Sequence, residues 1–172
     1  MEMIYDEQGN ILEGTVIEYY SEGKKMSETP YKDGKINGNV IEYHFNGNIS
    51  SITPYVDGVI HGLEKIFYQD GMLMETTPYE NGKIHGTKCK YFETGLLEEQ
   101  AEYTRDVLNG YVIKYNSDGT ERIRQEYKKG FPVEKIAEEE EEERKRQEEL
   151  EKKRKKDNKS DMLTQEEIDR LL

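Results

Sequence analysis

The sequence predicts a mainly β protein, an elongated antiparallel meander of β-hairpins repeating every 24 residues, followed by a charged α-helical segment. Three observations carry this. Glycine recurs at Gly14, Gly38, Gly62, Gly86 and Gly110, a constant spacing of 24. Three further columns keep the same register. A second glycine follows nine residues on (Gly23, Gly47, Gly71, Gly95, Gly119). A tyrosine follows seventeen on (Tyr31, Tyr55, Tyr79, Tyr103, Tyr127), and a third glycine twenty on, with Asp106 the one exception. Finally, all thirteen tyrosines lie between Tyr5 and Tyr127, and no Gly, Pro or aromatic residue occurs from Glu134 onward.

Each repeat begins with a β-rich run, such as Val40-Ile41-Glu42-Tyr43-His44-Phe45, whose branched and aromatic side chains suit a pleated, half-covered surface. An Asn-Gly or Asp-Gly pair then marks a tight turn, since these residues reach positive φ at low cost. One hairpin per repeat and about ten strands in all follow from five repeats. The aromatic column Tyr19, Tyr43, Phe67, Tyr91, Tyr115 and the aliphatic column Ile36, Ile60, Ile84, Leu108 are expected to form ladders along one face. Thr-Pro pairs at 29–30, 53–54 and 77–78 should kink or shorten the second strand, because proline has no N–H for a ladder. Ala101-Glu102 and Gln125-Glu126 should pair more regularly.

Composition narrows function. Only 33% of the chain is hydrophobic and 36% is charged, with a net charge of -12, too little apolar material for a thick two-layer core. The acidity disfavours nucleic acid and anionic lipid, which need clustered positive charge. The lone Cys89 and the absence of a basic-then-apolar start at Met1–Asp6 point to a reducing, cytoplasmic protein. No apolar run approaches the roughly 18 residues of a membrane span.

The alternation of YKDGKING (31–38), YVDGVIHG (55–62) and YENGKIHG (79–86) with a second turn resembles MORN-repeat proteins, most closely their bacterial variant subgroup. The resemblance covers residues 5–133. It implies a β-hairpin array with a binding role, since members of that family act as scaffolds, as membrane-proximal tethers and as antitoxins that neutralise a partner toxin. The chain departs from the better-known pattern in lacking tryptophan and in its 24-residue period, which argues against a lipid-binding role.

No catalytic constellation emerges, and the expectation is a protein that is not an enzyme and takes no cofactor or metal. His61 and His85 occupy equivalent positions, but equivalent residues two strands apart lie about 9 to 10 Å from each other, too far to share a zinc. Asn37 and Asn109 fill the same column, so the position calls for a polar group near a turn. Cys89 stands in a column of mostly aliphatic residues, where it serves as a small hydrophobe. Every glycine is accounted for by a turn, and no phosphate-loop pattern G-x-x-x-x-G-K-[ST] is present.

The chain divides into repeats at 1–133, a charged arm at 134–160 that is either helical or disordered, and a short amphipathic docking helix at 161–172. The arm reads EKIAEEEEEERKRQEELEKKRKK up to Lys156, with acids four residues before bases at Glu140/Arg144, Glu141/Lys145, Glu142/Arg146, Glu148/Lys152, Glu149/Lys153 and Glu151/Lys155, the orientation that supports a solvated helix. Asp157-Asn158-Lys159-Ser160-Asp161 should break it. A new helix then starts with Thr164 as N-cap, Glu167 completing a capping box, and Leu163 and Ile168 at the positions of a hydrophobic staple. Ile168, Leu171 and Leu172 share one face, and so short a helix implies a groove on something else; the alternative is that the segment folds back to cap the last hairpin of the array. LTQEEIDRLL (163–172) resembles the segment by which the flagellar motor switch protein engages the chemotaxis response regulator, matching at Leu163, Thr164, Gln165, Glu167, Ile168, Asp169, Leu171 and Leu172. The resemblance implies another protein as partner, of the receiver-domain class, where the repeat resemblance admits a toxin.

Overall fold

A computed structural model describes residues 4–161 with 169 and 170, and separates a repeat unit ending at Gly130 from a unit beginning at Phe131. The repeat unit is one antiparallel sheet. Its long strands are β2 (Ile11–Tyr19), β3 (Lys25–Lys32), β5 (Gly38–Tyr43), β6 (Ile49–Val56), β8 (Gly62–Phe67), β9 (Leu73–Glu80), β11 (Gly86–Tyr91), β12 (Leu97–Thr104), β13 (Val107–Tyr115) and β14 (Glu121–Lys128), hydrogen-bonded in that order. Two-residue pieces complete it: β1 (Ile4–Tyr5) beside β2, β4 (Lys35–Ile36) beside β3, β7 (Val59–Ile60) beside β6 and β10 (Lys83–Ile84) beside β9. The meander of ten long strands is as the period predicted.

Two kinds of turn alternate. At the hairpin tips the glycine nine residues into the repeat donates back to the residue three before it, as in Gly47 N to His44 O at 2.8 Å. At the opposite edge Asp57 and Gly58 both take positive φ, 50° and 85°, the pair required by the tight turn whose twist matches that of the flanking strands. That glycine also ties the repeats together, since Gly58 N reaches Ile36 O at 2.8 Å and Gly82 N reaches Ile60 O at 2.9 Å. Asp106 satisfies the same role without being glycine: its N–H bonds Ile84 O at 2.9 Å and its carboxylate accepts Ile84 N at 2.8 Å.

The proline strands correct one expectation. β3, β6 and β9 run eight residues straight through their Thr-Pro pairs, in register with the preceding strand at Thr15↔Pro30, Asn39↔Pro54 and Leu63↔Pro78. The irregularity falls on the following strand instead. Between Glu28↔Ile41 and Tyr31↔Ile36, residues 29–30 oppose residues 37–40, and the strand is split into β4 and β5. Proline lacks a donor but keeps its carbonyl, and Pro30, Pro54 and Pro78 each accept one N–H, from Asn37, His61 and His85 at 3.0 Å. The two extra residues carry the neighbour past the ring, and a Cβ on Gly62 would stand 3.1 Å from Pro54 Cγ.

A single sheet encloses little. Among the described residues the buried side chains are those of Ala101, Val112, Ile113, Ser27, Ser51, Thr76 and Thr77, mostly small groups pressed between neighbouring strands.

The second unit contains β15 (Phe131–Pro132) and helix α1 (Val133–Asp161). The helix starts where the repeat composition ends, and it runs through Asp157-Asn158-Lys159-Ser160, where the sequence led us to expect a break. Asp, Asn and Ser lower helix propensity by less than about 0.7 kcal/mol each, and neither a glycine nor a proline is present to end the helix. Of the six anticipated acid–base pairs, Glu141–Lys145 closes at 2.9 Å and Glu151–Lys155 at 4.0 Å. The bond from Lys145 lowers the Glu141 carboxyl below its ordinary range.

Candidate binding surface

Strand alternation sorts the side chains onto two faces. Tyr31, Tyr55, Tyr79, Tyr103 and Tyr127 stand on one, each directly across from the leading glycine of its own repeat: Gly14, Gly38, Gly62, Gly86 and Gly110 respectively. On the other side of the ring stands the aliphatic residue of the next repeat, as in Tyr55↔Ile60 and Tyr103↔Leu108. A glycine leaves room for an aromatic to lie over the strand, and all five tyrosines are half-buried. Burial, then the charge of Glu64 and its bond to the phenol, raises Tyr79 above its usual value.

The second aromatic column lies on the opposite face, which corrects the expectation that it shares a face with Ile36, Ile60, Ile84 and Leu108. Tyr43 Oη donates to Glu28 at 2.8 Å, a carboxylate that also accepts Lys25 at 2.6 Å, and Glu28 pairs with Ile41. This face presents Ile17, Tyr19, Leu63 and Tyr111, all exposed, and Arg124 stands 5.4 Å over the Tyr111 ring. The columns are parted by strand alternation itself. β5 runs unbroken from Gly38 to Tyr43, an odd step of five residues, and successive side chains of a strand point to opposite faces.

Both faces carry charge, and on the tyrosine face it falls in a row. Four residues after each leading glycine the row reads Glu18, Glu42, Ile66, Lys90, Lys114. Glu18 accepts the Ser27 hydroxyl and Glu42 that of Ser51, each at 2.7 Å. Beside them Lys88 bonds Glu75 and Lys114 bonds Glu99, both at 2.8 Å. An open groove of about 400 Å³ passes Glu42, Ser51, Thr53, Glu64 and Ile66.

Sequence reasoning missed one element. Six residues after the leading glycine, Tyr20 donates to Tyr43 O at 2.7 Å, His44 Nε2 lies 2.9 Å from Phe67 O, and Tyr68 donates to Tyr91 O at 2.7 Å. These clamps bind the tips of the first three hairpins each to the next. The signal was a side-chain donor at one offset, obscured because Tyr, His, Phe and Asn all occupy it.

The residues weighed for chemistry have local structural partners. His61 Nδ1 accepts Asn81 N at 3.4 Å, and His85 Nε2 lies 3.8 Å from Glu80. Among the described residues no group of three His, Cys, Asp or Glu is placed to hold a metal ion. Cys89 is free and half-buried. Among the described residues no helix is long and apolar enough to cross a membrane. Of the terminal segment, Asp169 and Arg170 are helical and exposed, whereas Leu163, Thr164, Gln165, Glu167, Ile168, Leu171 and Leu172 lie outside the described residues.

A stack of similar hairpins tied by backbone bonds at one edge and side-chain clamps at the other is a β-hairpin repeat protein. Residues 12–33, 36–57 and 60–81 match the family model described as MORN repeat variant. Repeats of this kind are associated generally with binding proteins or membranes. No curated protein matches the chain.

Proposed function

We propose that the chain is a non-enzymatic protein–protein interaction platform whose terminal segment docks a partner. The observation that carries this is the single-layer sheet. Large apolar side chains stand exposed along it (Tyr19, Leu63 and Tyr111 on one face, Phe45 and Met72 at the tips), and tyrosine-rich surfaces of mixed polarity are the composition of protein interfaces. A protein partner fits better than an anionic membrane, because residues 1–133 hold 14 basic against 22 acidic side chains, a net of -8, and such a surface is repelled by anionic lipid.

The arm has the character of a spacer. Helix α1, of 29 residues, spans about 43 Å at 1.5 Å per residue and is polar all round, the pattern of a spacer supported by its own ion pairs. Beyond it, Ile168, Leu171 and Leu172 form the apolar face of a segment that folds on a receiver-domain response regulator. Titrating isotope-labelled protein with such a domain should perturb the signals of residues 161–172 selectively. Ile168→Ala with Leu171→Ala should abolish the response and leave the melting temperature of the repeats unchanged. A fall in that temperature would make the segment an intramolecular cap and refute the docking role.

A further inference from the structure

The row Glu18, Glu42, Ile66, Lys90, Lys114 on the tyrosine face reads acid, acid, apolar, base, base, and successive members sit two strands, about 9 to 10 Å, apart. Such a row is complementary to itself once reversed. A two-fold axis lying in the interface, parallel to the strands and passing through Ile66, sets Glu18 against Lys114 of a second copy, Glu42 against its Lys90, and Ile66 against its Ile66. We propose that the tyrosine face is the surface by which two copies of this chain pair, antiparallel in repeat order, with this row fixing the register.

The surroundings fit that arrangement. The same operation exchanges β3 with β12 and β6 with β9, so Tyr31 meets Tyr103 and Tyr55 meets Tyr79, giving half-buried aromatic surface to cover. Tyr127 falls beyond the overlap. Three carboxylates outside the row share this face, each already engaged: Glu75 with Lys88 and Glu99 with Lys114, both at 2.8 Å, and Glu64 with the Thr53 hydroxyl at 3.1 Å. Lys114 is thus shared between Glu99 and the second copy's Glu18, and Glu42 against Lys90 is the contact that sets the register. Glu18, Glu42 and Lys90 are exposed, so they reach across the roughly 10 Å that separates packed sheets. A face of this kind makes an isologous contact, which closes at two copies and cannot propagate. A partner with a uniform charge would match one half of the row and be repelled by the other.

The inference rests on the sheet being a protein-binding surface, and it is tested apart from any foreign partner. Sedimentation of the full chain at low ionic strength should give a monomer–dimer equilibrium that weakens with added salt. Glu42→Lys and Lys90→Glu, each alone, place like charges at two symmetry-related contacts and should weaken the dimer by about tenfold. The double variant restores opposite charges and should return to within about threefold of the parent. An equimolar mixture of the two single variants should form the mixed dimer in preference to either homodimer. Circular dichroism of each variant establishes that the fold is kept. A monomer at all concentrations, or a dimer indifferent to all three variants, would overturn the inference while leaving capture of another protein by the sheet intact.

Discussion

Repeats one to three carry Thr-Pro before the column tyrosine, whereas repeats four and five carry Ala101-Glu102 and Gln125-Glu126, and the family match covers only the first three. The sheet nevertheless continues with the same logic. Between Ala101↔Val112 and Tyr103↔Leu108 one residue opposes three, the same excess of two that the proline repeats show, although β13 stays a continuous strand. Glu102 takes the place of the ring: its carboxylate accepts Tyr111 N at 3.3 Å, and its side chain occupies the space a Cβ on Gly110 would need. Asp106 likewise replaces a turn glycine by bonding Ile84 with its side chain as well as its backbone. What the array preserves is a pairing geometry, and more than one residue type can satisfy it.

The largest effect should come from breaking that geometry in a proline repeat. Gly62 holds φ of 118° against Pro54, so Gly62→Ala forces both backbone strain and a close contact and should cost about 3 kcal/mol in chemical denaturation. Tyr55→Ala removes a ring held between Gly38 and Ile60 and should cost roughly 1 to 3 kcal/mol. Next come the clamps, which sharpen the contrast between halves. Tyr68→Phe should lose about 1 kcal/mol, whereas Phe92→Tyr, which supplies the missing hydroxyl in repeat four, should gain about 0.5 to 1 kcal/mol. The smallest effect is in the last turn, where Lys129 sits at φ of 53° and Lys129→Asn should stabilise by about 0.5 kcal/mol.

Alkali should act on the tyrosines. Tyr43 is raised above 10.0 by its bond to Glu28, and Tyr68, Tyr79 and Tyr91 chiefly by burial. A phenol with a raised value in the fold contributes stability that is complete below the unfolded value and is lost as pH climbs through the folded one. Melting temperature should therefore hold up to the ordinary tyrosine range and fall beyond it, in step with phenolate absorbance.

The columns of Gly and Tyr were legible because a positive φ and a ring over a glycine each tolerate few residue types, so both recur visibly. The clamp positions were not, since Tyr20, His44 and Tyr68 reach equivalent carbonyls of successive repeats with phenol or imidazole. The placement of the bulge was hidden for another reason: Pro30 shows where a donor is missing, while its carbonyl bond to Asn37 and the detour around its ring depend on the neighbouring strand. The separation of the two ladders onto opposite faces was present in the odd spacing from Gly38 to Tyr43. Reading it required knowing that β5 runs regularly between them while the chain just before it does not. The terminal segment's proposed contacts lie in side chains outside the described residues, so its reading still rests on Thr164, Glu167 and the apolar spacing.

The central claim is that all five repeats form one sheet by a single pairing rule despite their divergence. Native-state amide exchange measures it directly, through the inter-repeat bonds of Gly58, Gly82, Asp106 and Gly130 N–H to Ile36, Ile60, Ile84 and Leu108 carbonyls. The account predicts comparable protection at all four amides. Protection at Gly58 and Gly82 with free exchange at Asp106 and Gly130 would contradict it and confine the array to its proline repeats.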